Sequence, residues 1–234
     1  MSNAPASLLR DKHLALLTLD DGKANAISMA TVVCLNNLLD EAERDPGVRA
    51  LVITGREGRF SAGFDLSVMS TGPSAVRELV GAGARLAMRL YEFPKPVVIA
   101  CSGHALAMGG ILLFTADWRT GVDGAFRIGL NEVQIGMTMP QFGAELARDR
   151  LSPRYFARAV VNAEIFAPSV AVDAGYLDEV VDALSLIDFA CVQADRLAAL
   201  DARAFAATKR RTRSTTLARI RDGLAADLGG LAGG

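Results

Sequence analysis

The stretch from Pro96 to Trp118, PVVIACSGHALAMGGILLFTADW, constrains this chain more than any other. Val97 to Cys101 is a short apolar run, with Pro94 and Pro96 before it and Gly103 behind, which is the pattern of a buried strand. Ser102 to Gly110 follows as a small-residue turn with three glycines and two alanines. Ile111 to Ala116 then reads as the first turns of a buried helix. A strand that runs through a glycine-rich turn into a helix leaves backbone N–H groups unpaired at the helix start. Those groups and the helix dipole favour negative charge. The stretch therefore reads as half of a site for a developing oxyanion.

The rest of the chain must supply the body around this element. It has 234 residues, 51% of them hydrophobic, enough for one large domain or one domain with a helical appendage. Met1 to Ala6 read as a loose tail and His13 to Leu19 as a strand. Asp20-Asp21-Gly22 carries turn chemistry, and Lys23 to Ile27 is a small-residue loop. Ser28 is an N-cap for a helix over Met29 to Arg44, whose Leu35, Leu38, Leu39 and Ala42 share one face; Asp45-Pro46-Gly47 stops it. Val48 to Thr54 is a second buried strand, Gly55 to Gly58 a loop, Ser67 to Pro73 a polar linker and Ser74 to Tyr91 a helix. This alternation predicts an α/β domain with mostly parallel pairing and right-handed crossovers. Trp118 to Val122 and Ala125 to Ile128 are short strands, and Leu130 to Thr138 is a loop. Pro140 to Arg150 begins a helix, and Ser152-Pro153 is a cap and first-turn proline for the next. From Pro168 onward the chain is helical with breaks, Ser185 to Leu200 and Ala202 to Leu228 being the longest pieces. Gly229 to Gly234 form a glycine-rich tail.

Several kinds of function find no support. The net charge is −1, which leaves no electrostatic footprint for nucleic acid or an acidic membrane. The basic run Lys209-Arg210-Arg211-Thr212-Arg213 reads as a solvated helix face. No apolar stretch is long enough to span a bilayer, and no secretory signal opens the chain. Cys34, Cys101 and Cys191 sit in apolar contexts and read as reduced, buried thiols of a cytoplasmic protein. No metal-ligand, phosphate-loop, nucleophile-elbow or dinucleotide motif appears, and His13 and His104 are far apart.

Two small-residue turns after strands and one acid remain. The turns are Ser61 to Asp65 and Ala105 to Gly110; the acid is Glu132, flanked by apolar residues in Gly129-Leu130-Asn131-Glu132-Val133. Desolvation there would raise its pKa, as suits a general acid or base. Taken singly, the turns are ordinary tight turns and the acid an ordinary loop carboxylate. Together with Asn25-Ala26-Ile27, Val52-Ile53-Thr54-Gly55, Phe60 to Leu66, Lys95-Pro96-Val97-Val98, Gly103 to Gly110, Ala116-Asp117-Trp118-Arg119 and Asn131 to Gly136, in this order and spacing, they resemble the enoyl-CoA hydratase/isomerase (crotonase) family from about His13 to Val181.

The resemblance implies a crotonase-type spiral of ββα units, with residues 1–185 as an acyl-CoA-binding core and 186–234 as a C-terminal helical region that builds a homotrimer or a dimer of trimers. It implies an acyl-CoA thioester substrate, no separate cofactor and no metal. By position, Phe64 N–H and Met108 N–H would hold the thioester oxygen, and Glu132 would be the catalytic acid or base. Lys23, Ala24 and Ala26 would line the CoA site, with Ala62, Asp65 and Leu66 opposite. Two departures matter. Ala107-Met108-Gly109 stands where many relatives carry three glycines, so the Met108 side chain must turn away or narrow the pocket. Ile111 stands where the hydratase pattern has its first glutamate. One acid suits the shift of a 3-enoyl to a 2-enoyl thioester, so the implied activity is enoyl-CoA isomerisation, with hydration, a non-catalytic acyl-CoA-binding role and RNA binding as alternatives.

Overall fold

The computed structural model describes residues 4–230. The chain opens on a hairpin in which β1 (Ala6–Asp11) pairs antiparallel with β2 (Leu14–Leu19), and Lys12 takes a positive φ in the connection. β3 (Ala26–Ile27) leads into α1 (Met29–Arg44), whose cap Ser28 accepts from the Thr31 N–H as expected. A unit of two strands and a helix then repeats. The first comprises β4 (Ala50–Gly55), β5 (Gly58–Ser61), the short β6 (Gly63–Phe64), one helical turn α2 (Leu66–Met69) and α3 (Pro73–Tyr91). The second is β7 (Val97–Cys101), β8 (Gly103–Leu106) and α4 (Met108–Leu113). The third is β9 (Trp118–Val122), β10 (Ile128–Gly129) and α5 (Gln141–Arg150). Then come α6 (Pro153–Val160), β11 (Ile165–Phe166), α7 (Pro168–Ala174), β12 (Glu179–Val181), α8 (Leu186–Ala198) and α9 (Ala202–Gly230).

In each unit the first strand joins a six-stranded sheet of order β1-β2-β4-β7-β9-β12, parallel from β2 onward. The second joins a four-stranded sheet of order β11-β10-β8-β5, and β3 pairs with β6 in a separate ribbon. The expected spiral of ββα units around two sheets is therefore present.

β4 and β7 are unbroken apolar runs because both faces of the large sheet are covered. Their residues alternate with the pleat: Leu51, Ile53, Val97 and Ile99 face the main core with Leu17, Phe60 and Leu112, while Val52, Val98 and Ala100 face α8. α8 meets them through Ala190, Ala194 and Ala198, one helical turn apart, whose small side chains let helix and sheet approach closely.

The basic run is a correction. Lys209 and Arg213 are buried, on the same stripe of α9 as Thr216, Leu217 and Ile220, while Arg210 and Arg211 are exposed. Lys209 Nζ donates to Asp117 Oδ2 (2.6 Å), Arg213 Nη2 donates to Asp117 Oδ1 (2.8 Å), and Asp117 Oδ2 also accepts from the Val97 N–H (2.8 Å). A salt-bridged stripe inside the fold is no solvated face and no free basic surface.

Other differences are local. Ala6, expected in a loose tail, opens β1; residues 1–3 of that tail lie outside the described residues, as do 231–234 of the C-terminal tail, whose Gly229 and Gly230 close α9. β8 lies inside the expected turn, α4 starts at Met108 rather than Ile111, and the strand expected over Ala125 to Ile128 is Ile128–Gly129. Ser152 makes no side-chain cap, and Cys34 and Cys191 are only partly buried. Strands this short are held by their neighbours' backbone, not by a side-chain pattern of their own.

Candidate active site

Three loops meet at one edge of the small sheet, and the neighbours of each explain its position. Asp21 organises the first. Burial alone would raise its pKa, but the amides of Asn25, Lys23 and Ala26 and the charge of Arg56 outweigh burial and hold it below the usual carboxylate value. This turns the loop back so that Asn25, at positive φ, reaches the carbonyls of Leu19, Arg59 and Phe60 with its side-chain amide. Ser61 Oγ donates to Asn25 C=O (2.7 Å), and Ala62 N–H donates to Ala24 C=O (3.0 Å). Ala24 and Ala26 therefore lie against the Ala62–Phe64 turn. Lys23 is exposed, with its N–H on Asp21 and its C=O accepting from Arg56.

The second loop is the Ala62–Asp65 turn. Asp65 N–H donates back to Ile27 C=O (3.1 Å), which leaves the preceding Phe64 N–H turned away from β3. Asp65 itself caps α2, its Oδ1 accepting from Ser67 N–H. Gly63, at φ 94°, is where this turn meets the third loop: a Cβ there would stand 2.8 Å from Ala107 Cβ and 3.2 Å from Met108 N. Gly63→Ala is therefore expected to push the two turns apart, lowering turnover by about 10²-fold through misplacement of the amides, with a lowered urea midpoint; wild-type values for both would refute the stated contact.

The third loop follows β8. Met108 N–H is the first amide of α4, ahead of the helix bond from Ile111 N–H to Ala107 C=O (2.9 Å). Ala107 sits at φ 48°, a conformation that L residues rarely adopt, and its N–H is tied to Gly129 C=O (3.0 Å). Gly109 lies so close to β5 that a Cβ would come within 2.3 Å of the Ser61 carbonyl. The Met108 side chain is buried and runs toward α3, its methyl group 3.6 Å from where a Gly83 Cβ would be, so it turns away from the turn's open side.

β10 pairs parallel with β8, so the chain leaving β10 emerges beside the chain leaving β8. That places Glu132 next to the Ala107–Met108 turn. A 3-10 turn over Val133–Ile135 closes on Gly136, at φ 78°, and Met137 N–H donates to Glu132 C=O (2.9 Å). Glu132 is 5% exposed, its Oε2 has no protein partner, and burial pushes its pKa up to about 7.

The Ala62–Asp65 turn, the turn after β8 and the segment after β10 enclose a cavity of about 80 Å³. Of the expected site residues, Ala62, Phe64, Leu66, Ile111 and Glu132 line it; Lys23, Ala24, Ala26 and Asp65 do not, and Met108 stands behind Ala107. Val80, Ala107, Asn131, Ile135, Met137 and Pro140 complete the lining. Ala107, Asn131 and Ile135 lie in stretches the sequence marks, without a signal for their own part in the cavity; Val80, Met137 and Pro140 come from elements whose approach no local pattern encodes. Glu132 is the one ionisable group among the described lining residues. A larger cleft of about 660 Å³ runs along α9, but its Asp117, Lys209 and Arg213 are bonded to one another and offer no free acid or base.

Known proteins share this fold. A family model described as enoyl-CoA hydratase/isomerase matches residues 10–229. The crystal structure of an enoyl-CoA hydratase/isomerase family protein from Pseudomonas syringae superposes with a TM-score of 0.95 at 42% identity, covering 99% of this chain and 100% of that one. A probable enoyl-CoA hydratase of Bacillus subtilis is 34% identical over 65% of this chain and 58% of its own length. The mitochondrial enoyl-CoA delta isomerase 1 of Homo sapiens is 30% identical over 72% of this chain and 57% of its own. The chain thus spans a little over half the length of these two curated relatives, and nearly the whole of the Pseudomonas structure. With a family model matching residues 10–229 and a solved member superposing over 99% of the chain, the chain belongs to the enoyl-CoA hydratase/isomerase family.

Proposed function

We propose that the protein is an enoyl-CoA isomerase that converts a 3-enoyl-CoA to a 2-enoyl-CoA. In this reading Phe64 N–H and Met108 N–H donate to the thioester oxygen. Glu132, as carboxylate, takes a proton from C2; the electron pair moves into a dienolate, and the amides hold its oxygen without a side chain having to ionise. The protonated Glu132 returns the proton at C4, leaving the double bond at C2–C3. A carboxyl group with a pKa near 7 is matched to both halves of this transfer.

The observation that carries the reading is that Glu132 is the one ionisable group among the described residues facing the cavity. Ile111, buried and lining the same space, stands where hydration would need a second carboxylate to hold water. Hydration is the second reading, favoured by the similarity to the probable enoyl-CoA hydratase of Bacillus subtilis. A side-by-side spectroscopic assay separates them: 3-enoyl-CoA is expected to turn over at least about 10²-fold faster than crotonyl-CoA is hydrated, and rapid hydration would overturn the preference. The CoA moiety would run past Lys23, Ala24 and Ala26 on one side and Ala62, Asp65 and Leu66 on the other, with no separate cofactor. Leu66, Val133 and Ile135 expose apolar surface, which supports self-association; by family resemblance the assembly would be a homotrimer or dimer of trimers. A cytoplasmic setting fits the three free cysteines. No helix among the described residues is long and apolar enough to cross a membrane.

A further inference from the structure

Three buried side-chain atoms lack a protein hydrogen-bond partner among the described residues: Asn131 Oδ1, Glu132 Oε2 and the Tyr176 hydroxyl. The first two line the cavity; the third belongs to a residue that nothing above uses. Tyr176 is fully buried, just after Gly175, which caps α7 at φ 97°. Its ring packs on Phe114 (centroids 4.9 Å apart), at the end of α4, and on Phe166 (5.9 Å), in β11. Phe166 pairs with Ile128 of β10, the strand that delivers Glu132. Tyr176 is thus wedged between the helix that starts at Met108 and the sheet edge that carries the acid.

A buried hydroxyl without a partner is costly, and the rest of this interior avoids that cost. The other fully buried tyrosine, Tyr91, donates to Asp149. Tyr176 has a donor to give, and Glu132 Oε2 has a lone pair to fill. Burial, and after it the charge of Glu132, resist ionisation of the Tyr176 hydroxyl, so this phenol stays a donor and lies within reach of that carboxylate's field.

We propose that Tyr176 is a positioning residue for Glu132: its hydroxyl donates to a bound water that in turn donates to the Glu132 carboxylate, bridging the two unpaired atoms. The inference rests on the reading of Glu132 as the proton carrier. A hydrogen bond to the ionised form favours it, so Tyr176 offsets part of the burial that weakens Glu132 as an acid. The surrounding charges are engaged elsewhere. Arg150 of α5 donates to the carbonyls of Phe114 and Ala116 and stands beside Asp149, Arg158 of α6 pairs with Glu164, and Arg119 of β9 pairs with Asp178. None of them acts on Glu132, whose shift comes from burial and is opposed by its own backbone amide.

The test is a carbon-13 NMR titration of glutamate carboxyl groups in wild type and in Tyr176→Phe, a change that keeps the ring and removes one oxygen. The Glu132 signal is identified by its loss in Glu132→Gln. Tyr176→Phe is expected to raise the Glu132 pKa by about one unit, a tenfold change in its ionisation. The acid limb of the kcat/KM profile should move up with it, and kcat at pH 7 should fall while KM stays. A melting curve checks that the variant is folded; a purely packing role would lower the melting temperature and leave the titration where it was. An unmoved or lowered Glu132 pKa in folded Tyr176→Phe overturns the proposal. The titration needs no turnover, so it stands apart from the proposed reaction: full activity in Glu132→Gln would sink that reaction and leave the pairing to be read directly.

Discussion

Glu132→Gln is expected to lower turnover of a 3-enoyl-CoA by about 10³-fold, within the range a general acid–base contributes, while acyl-CoA affinity stays near the wild-type value. Gln keeps the shape and the buried position but cannot accept the C2 proton. The Phe64 and Met108 amides and the cavity walls are untouched, so binding should survive. Isothermal titration with an acyl-CoA and a stopped-time assay on the same preparation separate the two; wild-type turnover would remove Glu132 from the chemistry. The same variant should gain stability at high pH. The carboxyl group titrates at about 7 in the folded chain against an ordinary value of 4.5. A pKa raised by folding leaves stability intact below the unfolded value and erodes it as pH rises through the folded one. At about 1.4 kcal/mol per unit, wild type should lose at most about 3 kcal/mol between pH 4.5 and pH 8 on this account. Gln does not titrate, so Glu132→Gln should unfold at higher urea than wild type at pH 8, with the gap closing toward pH 5. The acid costs the fold stability that a neutral residue would not.

Asp117→Ala should have the largest effect on stability, a loss of about 3–5 kcal/mol. Asp117 takes Lys209 and Arg213 on its two oxygens and the Val97 N–H besides. Removing it strands two buried cations and an unpaired amide at the start of β7. For a chain of this size the melting temperature should fall by roughly 10 °C. Burial, partly offset by Asp117, already lowers the Lys209 pKa to about 8, so without the acid Lys209 should shed its proton more readily still. Replacing all three, Asp117→Ala with Lys209→Met and Arg213→Leu, should recover much of the loss, because no unpaired charge is left inside. Equal destabilisation in the single and triple variants would mean that the acid acts through Val97 alone.

How much of this was legible in the sequence follows from where each signal comes from. β4, β7, α1 and α3 announce themselves because their burial is complete enough to write a continuous or periodic apolar pattern. β5, β8 and β10 do not: Gly58-Arg59-Phe60-Ser61, Gly103-His104-Ala105-Leu106 and Ile128-Gly129 owe their extended form to ladder bonds with one another. Yet these strands aim the site. Glu132 could be singled out because an acid amid apolar residues is conspicuous in any chain. Tyr176 could not, since a tyrosine after a helix-ending glycine reads as core, and its packing on Phe114 and Phe166 comes from distant elements. The basic run of α9 was misread for a related reason: four like charges in five residues look solvated until a helical stripe is drawn through Lys209 and Arg213 to a single carboxylate.

The parallel pairing of β8 with β10 has a consequence for how such a protein can diversify. In the proposed reading, the electrophile is gripped by main-chain amides that no point substitution other than proline can delete, while the proton carrier is an ordinary side chain on the adjoining strand's exit. Inheritance can therefore rewrite the reagent without touching the vice that holds the substrate. Ile111 and Glu132 are the two interchangeable tool positions, and a lineage that swaps either one keeps its hold on thioesters while it tries a new reaction.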